Sequence, residues 1–292
     1  MYMSEYLKET EKGHEKFNFV DINLDSDNRV FIDPAILSIE DDKWSKEANE
    51  YVQSFFDCLF EALKNDENTS SLFEHAHEQN ATKLGYGNGQ NGKGKTANGL
   101  KDSLVKLKKL VKEIPTISKS EDIPVLVEGF AEDCMSDLIT NILHEKLNEF
   151  TKEEMNKRGI KSNGMKTFWT WNKQTKDWNQ VTKESWFYKD KELLMVPKKI
   201  VRKNYLFKAH QYLYLVIIER IRNEEGLEDL RKIDIFNNLK NDDEHWEYKE
   251  VINYTKNHPD ALEEYHEKIP KSYKRKNGLM SNEDLDRVIY GE

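Results

Sequence analysis

The sequence predicts an α+β fold that is mainly helical, with an N-terminal β-hairpin and a small antiparallel sheet in the middle of the chain. Three patterns support this prediction. Apolar residues recur at three- and four-residue steps in several long segments, which is the period of an amphipathic helix. Short apolar runs flank a turn within residues 17–33, and aromatic residues flank a second turn within 168–188. Segments so close in sequence favour antiparallel pairing.

The two predicted sheets rest on local turn signals. In the N-terminal hairpin, residues 17–24 and 29–33 are the expected strands, joined by turn-forming residues at 25–28. In the middle of the chain, residues 168–172 are expected to turn back through 173–177 to Trp178. We interpret the tryptophans there as cross-strand pairs that close a small sheet. The alternative is that these aromatic residues stack on nucleic-acid bases.

The central segment, residues 121–150, organises the helical part of the prediction. It begins with a short apolar run and continues into a strongly amphipathic helix. A second, acidic stripe recurs every four residues on another face, and His144 lies beside it. Such a stripe either solvates the helix or forms the wall of a site. The expected buried face consists of Met135, Leu138, Ile139, Ile142, Leu143, Leu147 and Phe150, and the acidic stripe of Asp133, Asp137, Asn141 and Glu145.

The other predicted elements complete one domain. Helices are expected at 44–63, 100–111 and 205–222, followed by short helices after residue 227. We predict a single compact α+β domain of residues 1–292. Its one soft boundary is at 113–124, a polar stretch with two prolines.

Charge is distributed in blocks of opposite sign, although the whole chain has a net charge of −9. Residues 121–150 carry eight Asp and Glu against one Lys. The flanking blocks are basic: 81–120 carry nine Lys against two Asp and Glu, and 151–210 carry fifteen Lys and Arg against six. This arrangement suits an acidic, metal-binding centre with a polyanion held around it. The alternative is that the blocks mix in the folded chain.

A glycine-rich segment precedes the acidic block. Residues 89–96, GQNGKGKT, match the phosphate-loop pattern GxxxxGK[ST]. A phosphate loop needs a buried strand before it, however, and residues 72–84 are polar and helix-like. We therefore predict a flexible basic loop in which Lys93, Lys95 and Thr96 bind phosphate. A plain linker and a true nucleotide-hydrolysing loop remain alternatives.

Carboxylates and lysines are the groups best able to do chemistry, since no GxSxG nucleophile motif occurs. Asp133 and Asp137 lie one helical turn apart, so both carboxylates can bind one Mg²⁺. Lys198 is the candidate that stabilises a reacting phosphate. We predict these three residues as catalytic, with the two aspartates as metal ligands. The restriction-type nuclease core has an acid followed by a strand that bears (D/E)xK. The candidates here for that strand are Glu192 and Lys198, but they lack the required spacing. No residue role is therefore transferred from that family.

Several stretches together carry a family resemblance that spans most of the chain. VDINLD and FIDP near the N-terminus, the glycine-rich segment, GFAEDCMSDLITNIL and LLMVPKKIV resemble uncharacterised proteins of bacterial phage-defence loci. The resemblance implies a defence role but no catalytic residue. Two functions follow as expectations. The protein is a sensor or assembly subunit of a defence complex that contacts nucleic acid or another polyanion, or it is a Mg²⁺-dependent nuclease in the same role.

The location predicted from the sequence is the cytoplasm. The longest apolar run, 212–218, is far shorter than the roughly 20 residues of a membrane-spanning helix. The first 20 residues are polar and acidic and lack a signal-peptide pattern. We therefore expect no membrane contact, and a protein complex or nucleic acid as the partner. Frequent Lys, Asn, Asp, Glu and Ile indicate an AT-rich bacterial or phage genome.

Overall fold

The computed structural model describes residues 1–76, 80–86, 97–130, 132–275 and 278–291, and of residues 97–102 it describes the backbone alone. It confirms the predicted fold class, which is mainly helical with two small antiparallel sheets. The helices before the central sheet are α1 (Met3–Tyr6), α2 (Pro34–Ile39), α3 (Lys43–Lys64), α4 (Ser70–Phe73), α5 (Ala97–Glu113), α6 (Asp122–Leu126), α7 (Glu132–Ile142) and α8 (His144–Lys157).

The C-terminal part of the chain is helical throughout most of its length. α9 continues through a π-helical stretch, Leu213–Ile217, directly into α10, and together these form the helix that was predicted at 205–222. None of the helices in the described part of the chain has the length and apolar character needed to cross a bilayer. The helices are α9 (Ala209–Tyr212), α10 (Ile218–Glu224), α11 (Lys232–Leu239), α12 (Trp246–Asn257), α13 (Asp260–Arg275) and α14 (Asn282–Tyr290).

The middle sheet forms as the turn and the tryptophans predicted. Its antiparallel strands lie in the order β2 (Gly164–Asn172), β3 (Asp177–Tyr188) and β4 (Lys191–Leu193). Trp171 lies opposite Trp178 at the end of the hairpin. Both indole rings pack edge-on against Phe55 of α3, with the Trp171 ring centre 5.0 Å away. These tryptophans therefore join the sheet to the helical core.

The N-terminal sheet is formed by distant parts of the chain. β1 (Phe31–Ile32) lies in the predicted second strand, but it pairs antiparallel with β5 (Val201–Arg202). Residues 17–24 also meet this distant segment, since the amide of Val20 donates to the carbonyl of Val196. Apolar alternation shows that a stretch can be a strand but does not identify its partner, so the sequence suggested a local hairpin. A 3₁₀ turn, Lys198–Ile200, leads into β5.

The central segment forms two helices that share one buried face. The predicted helix is divided at Leu143, whose ψ of 11° departs from helical geometry, so that α7 and α8 follow each other. The predicted apolar face is confirmed, with six of its seven residues buried and Phe150 packed at its margin. The same continuous core extends from Met3 to Ile289 and includes Ile114, Ile117 and Ile123 within the predicted boundary segment.

α14 is attached to the N-terminal loop by buried polar groups. The Tyr290 hydroxyl donates to Oδ2 of Asp21 at 2.6 Å, and Asp21 is fully buried. Nδ1 of His14 contacts Asp286 at 2.6 Å, while its Nε2 accepts from the amide of Asp21 at 2.9 Å. Burial lowers the pKa of His14. These bonds fix the two ends of the chain against each other.

Candidate functional site

The start of α7 lies against the residues that precede the glycine-rich segment. At Gly85, φ is +148°, and a Cβ atom there would approach Oδ1 of Asp133 to 2.8 Å. Only glycine fits both constraints without a shift of the neighbouring carboxylate. The next residue, Tyr86, donates its hydroxyl to Oε2 of Glu132 at 2.6 Å. Residues 85–86 are therefore fixed on the acidic first turn of α7.

The predicted acidic pair is half-buried rather than fully solvated. Asp133 and Asp137 lie one turn apart on α7, which packs over β1. The amide of Ile32 in β1 donates to Oγ of Ser136 at 3.1 Å, which fixes the depth of the helix. Tyr205 donates to the carbonyl of Glu132 at 2.7 Å, and its pKa is raised first by burial and then by nearby carboxylates, including Asp137.

A cavity of about 450 Å³ gathers positive side chains between residue 29, the end of β5 and α14. Four cations line it against one carboxylate, Asp284. We call it the cationic cavity. Such an excess of positive charge favours an anion with several charges. The lining consists of Arg29, Arg202, Lys203, Asn204, Met280, Asp284, Arg287 and Val288.

Two of the arginines are held by the protein itself. Arg202 donates through Nη1 to the carbonyl of Gly278 and lies 3.9 Å from the buried carboxylate of Asp33. Arg287 contacts Asp284, one helical turn earlier, at 2.9 Å. An arginine that is already oriented loses less conformational entropy when it binds an anion.

Arg29 connects the cationic cavity to the start of α7. Its guanidinium lies 5.6 Å from the ring centre of Tyr86, and Tyr86 is bonded to Glu132. The cavity therefore adjoins the point at which the chain enters residues 87–96. Lys93, Lys95 and Thr96, the predicted phosphate-binding residues, lie outside the described residues, so their role remains a prediction.

In residues 80–86, which the structure describes, the chain does not form the buried strand that a phosphate loop requires. Among the described residues there, Leu84 makes a single isolated bridge to Asn28. α5 begins at Ala97, as the predicted helix after the loop requires. The segment that matches GxxxxGK[ST] is thus followed by the required helix. Residues 80–86 before it form no buried strand.

Lys198 has structural contacts in this fold. Its Nζ donates to the carbonyl of His14 and to Oδ1 of Asn282, and burial lowers its pKa. Neither partner belongs to the predicted acidic pair, so its catalytic role remains a prediction. Within the described ranges, no three His, Cys, Asp or Glu side chains are grouped closely enough to hold a metal ion. A Mg²⁺ ion at Asp133 and Asp137 would therefore depend on water and phosphate oxygens for its other ligands.

The cationic cavity was not predictable from the charge blocks of the sequence. Arg29 stands in the most acidic part of the chain, and Arg287 lies in a second acidic region, so neither contributed to a basic block. Only Arg202 and Lys203 belong to the basic block 151–210. The pairing of His144 with Glu192 was also not predicted. The sequence placed His144 beside the acidic stripe and Glu192 on a strand, but it did not indicate the hydrogen bond between them.

The chain matches a known protein family. The family model described as Domain of unknown function (DUF8370) matches residues 9–208, more than half of the chain. The chain belongs to this family. No curated protein and no solved structure matches it significantly. The DUF8370 region contains Arg29, Arg202, Lys203 and the start of α7, whereas Arg287 follows it. The family description assigns no function, so the resemblance to phage-defence proteins remains a prediction.

Proposed function

We propose that this DUF8370 protein is a bacterial phage-defence protein that acts in the cytoplasm and binds nucleic acid or another polyanion. In this role it is a sensor or an assembly subunit of a defence complex. The observation that supports polyanion binding is the cationic cavity, in which four cationic side chains face one carboxylate. The defence role is proposed from the sequence resemblance. Each phosphate that such a side chain neutralises releases counterions, which favours binding of a polyanion.

A phosphate chain suits this surface better than a small anion does. The cationic groups come from residue 29, from β5 and its following loop, and from α14, so they are spread around the cavity. Arg29 also adjoins Tyr86. Cationic groups that are spread in this way can contact several phosphates of one chain.

Binding to single-stranded DNA, duplex DNA and RNA tests the proposal. Arg29→Gln and Arg287→Gln should each weaken binding about tenfold, because each removes a charge-assisted hydrogen bond to phosphate. The matched control is Arg231→Gln. Arg231 pairs with Asp234 three residues away at 2.8 Å, as Arg287 pairs with Asp284, but it does not line the cavity.

Protection of cells from phage tests the biological role. The double variant Arg29→Gln/Arg287→Gln should fold normally and lose protection, whereas Arg231→Gln should keep it. Unchanged affinity for all three nucleic acids, together with full protection, would remove the cationic cavity from the function.

The alternative is a Mg²⁺-dependent nuclease, favoured by the position of Asp133. Its carboxylate lies beside Gly85, next to the tyrosine that Arg29 covers. Mg²⁺ is often held by only one or two carboxylates together with water and phosphate oxygens, and Asp133 and Asp137 fit that donor set. Bound there, the ion would activate water for phosphodiester cleavage.

Cleavage assays with Mg²⁺ or Mn²⁺ on plasmid, single-stranded DNA and RNA separate the two functions. For a nuclease, Asp133→Asn and Asp137→Asn should abolish metal-dependent cleavage while binding persists. If the unaltered protein binds nucleic acid but does not cleave it with either metal, the nuclease function is contradicted. The proposed binding function would still stand.

A further inference from the structure

α14 forms one wall of the cationic cavity. It supplies Asp284, Arg287 and Val288 to the lining, and Met280 lies just before its first residue. Of the four lining cations, Arg287 is the one that this helix carries. The position of α14 therefore determines whether Arg287 can bind an anion together with the other three cations.

His14 lies at the centre of the polar contacts that hold α14 in this position. The residue is fully buried, and both its backbone amide and its Nδ1 contact Oδ1 of Asp286, at 3.0 and 2.6 Å. On the other side of the ring, Nε2 accepts a hydrogen bond from the amide of Asp21 at 2.9 Å. The carboxylate of Asp21 in turn accepts from the hydroxyl of Tyr290 at the end of α14. His14 therefore holds the helix directly through Asp286 and indirectly through Asp21.

These contacts require the neutral form of His14. A backbone amide can only donate, so Nε2 offers its lone pair to the amide of Asp21, and Nδ1 carries the single hydrogen of the ring. A second proton would bind at Nε2, where it would point at the N–H group of Asp21. Protonation would therefore break the bond between the ring and the residue that binds Tyr290.

The charged groups that face the ring come from three parts of the chain. Burial has the largest effect on His14 and lowers its pKa below the ordinary value of 6.5. Asp286 of α14 and Asp21 of the N-terminal loop favour the protonated ring, whereas Lys198 of the 3₁₀ turn opposes it. Tyr290 also lies beside the ring, with 5.7 Å between ring centres, and it stays protonated because burial raises its pKa.

The sign of the pH dependence follows from these shifts. The folded protein binds the proton of His14 more weakly than the unfolded chain does, because the pKa is lower in the folded state. The contacts of His14 therefore stabilise the attachment of α14 fully above about pH 6.5, and this contribution is lost as the pH falls below that value.

We propose that His14 is a pH-sensitive latch that holds α14, and with it Arg287, at the cationic cavity. This regulation rests on the function proposed above for that cavity. At neutral pH the latch is closed, and all four cations line the cavity. In acid, the protonated ring gives up the amide of Asp21, Tyr290 loses its fixed acceptor, and α14 moves away from the other cations. The affinity for a polyanion then falls by the contribution of Arg287.

Hydrogen exchange of the α14 backbone amides tests the latch without any ligand. The full chain and its His14→Gln variant are compared at about pH 7.5 and about pH 5, after correction for intrinsic exchange rates. Glutamine can also donate and accept hydrogen bonds, but it does not titrate. Protection of residues 282–290 should fall at least about tenfold in acid in the unaltered protein and should persist in His14→Gln. His210→Gln, at an exposed histidine that pairs with Glu247, is the matched control and should behave like the unaltered protein.

Asp286→Asn provides a second variant that moves the pH profile. It keeps an acceptor for the Nδ1 hydrogen of His14 but removes the carboxylate that favours the protonated ring. The release of α14 should therefore occur at a lower pH in Asp286→Asn than in the unaltered protein. A residue with a purely structural role would leave the midpoint of this transition in place.

Binding of single-stranded DNA, duplex DNA and RNA at constant salt tests the link to the cationic cavity. From about pH 7.5 to about pH 5, the unaltered protein should lose about tenfold more affinity than His14→Gln, which equals the contribution expected from Arg287. Asp33 titrates in the same range, but it is present in both proteins and cancels in the comparison. When Arg287→Gln is also present, His14→Gln should no longer change the acid dependence, because α14 then brings no cation to the cavity.

The outcomes separate the latch from the function of the cavity. Equal protection of α14 in the unaltered protein and in His14→Gln at both pH values would overturn the proposal. An unshifted transition in Asp286→Asn would overturn it even if His14→Gln does not fold. Equal pH dependence of binding in the unaltered protein and in His14→Gln would overturn the control of the cavity by the latch. If α14 is released in acid but none of the three nucleic acids binds at either pH, the latch is supported and the binding function is contradicted.

Discussion

Asp33 is a fully buried carboxyl whose protonation should control the stability of the fold. Its Oδ1 accepts from the amide of Ala35 at 3.0 Å, and its Oδ2 accepts from the amide of Leu206 at 2.7 Å. Burial raises its pKa from 3.8 to about 6, and these two bonds and Arg202 only partly oppose that increase. Asp33 thus joins the N-terminus of α2 to the segment after β5. Its ionisation in this buried position costs free energy.

The pKa difference sets both the sign and the size of the effect. The folded state binds the proton more tightly than the unfolded chain does, because the pKa is higher in the folded state. Below about pH 4 both states are protonated and the carboxyl adds no electrostatic cost. As the pH rises toward 6 and above, ionisation favours the unfolded chain. A difference of about two pKa units corresponds to roughly 3 kcal/mol in the free energy of unfolding. The folded protein should lose most of this stability between about pH 4 and 7.

Urea unfolding at several pH values, followed by tryptophan fluorescence, measures this cost against Asp33→Asn. The variant is neutral at every pH and has a single acceptor oxygen, so it loses one of the two amide bonds. That loss is the same at every pH and does not contribute to the pH dependence of the difference. Relative to the variant, the unaltered protein should lose roughly 2–3 kcal/mol from pH 4 to 7.

Asp25→Asn is the control for this measurement, because Lys189 and the N-terminal ammonium lower the pKa of Asp25 to about 2. The ionised Asp25 stabilises the fold above its ordinary pKa, and this contribution is lost only as the pH falls toward 2. The free energy of unfolding of Asp25→Asn, plotted against pH, should therefore run parallel to that of the unaltered protein from about pH 4 to 7. A constant difference between Asp33→Asn and the unaltered protein would refute the account of Asp33.

Two further predictions concern the core and the attachment of α14. Leu138→Ala and Ile142→Ala, on the buried face of α7, should each lower the free energy of unfolding by about 2–5 kcal/mol. Losses below roughly 1 kcal/mol at both positions in urea titrations would show that this face is not the packed one. Tyr290→Phe should cost about 1.5–3 kcal/mol in the same assay, because the buried carboxylate of Asp21 loses a donor. An unchanged unfolding midpoint for Tyr290→Phe would contradict that contribution.

Helix faces and the middle sheet were predictable because their signals are local. The three- and four-residue period identified the side of α7 that is buried. The turn signal predicted the hairpin in which Trp171 lies opposite Trp178, although the observed turn is one residue shorter than the predicted 173–177. The partner of β1 was not predictable in this way, since β5 lies about 170 residues further along the chain. Long-range pairing depends on the whole core rather than on the pattern of either strand.

The candidate sites depend even more on distant residues. Arg29 and Arg287 meet at one cavity although each stands in an acidic part of the sequence. His144 and Glu192 are 48 residues apart, and their pairing follows from the way α8 packs on the middle sheet. The acidic pair Asp133 and Asp137, by contrast, was visible in the sequence because both residues lie on one helix.

The salt dependence of nucleic-acid binding tests the central claim, that the cationic cavity binds a polyanion, most directly. The logarithm of the binding constant should fall linearly with the logarithm of salt concentration, with a slope of about −0.7 to −0.9 for each phosphate neutralised. The double variant Arg29→Gln/Arg287→Gln should therefore have a slope shallower by about 1.4 to 1.8 than that of the unaltered protein, while Arg231→Gln leaves it unchanged. Equal slopes for the double variant and the unaltered protein would contradict the claim.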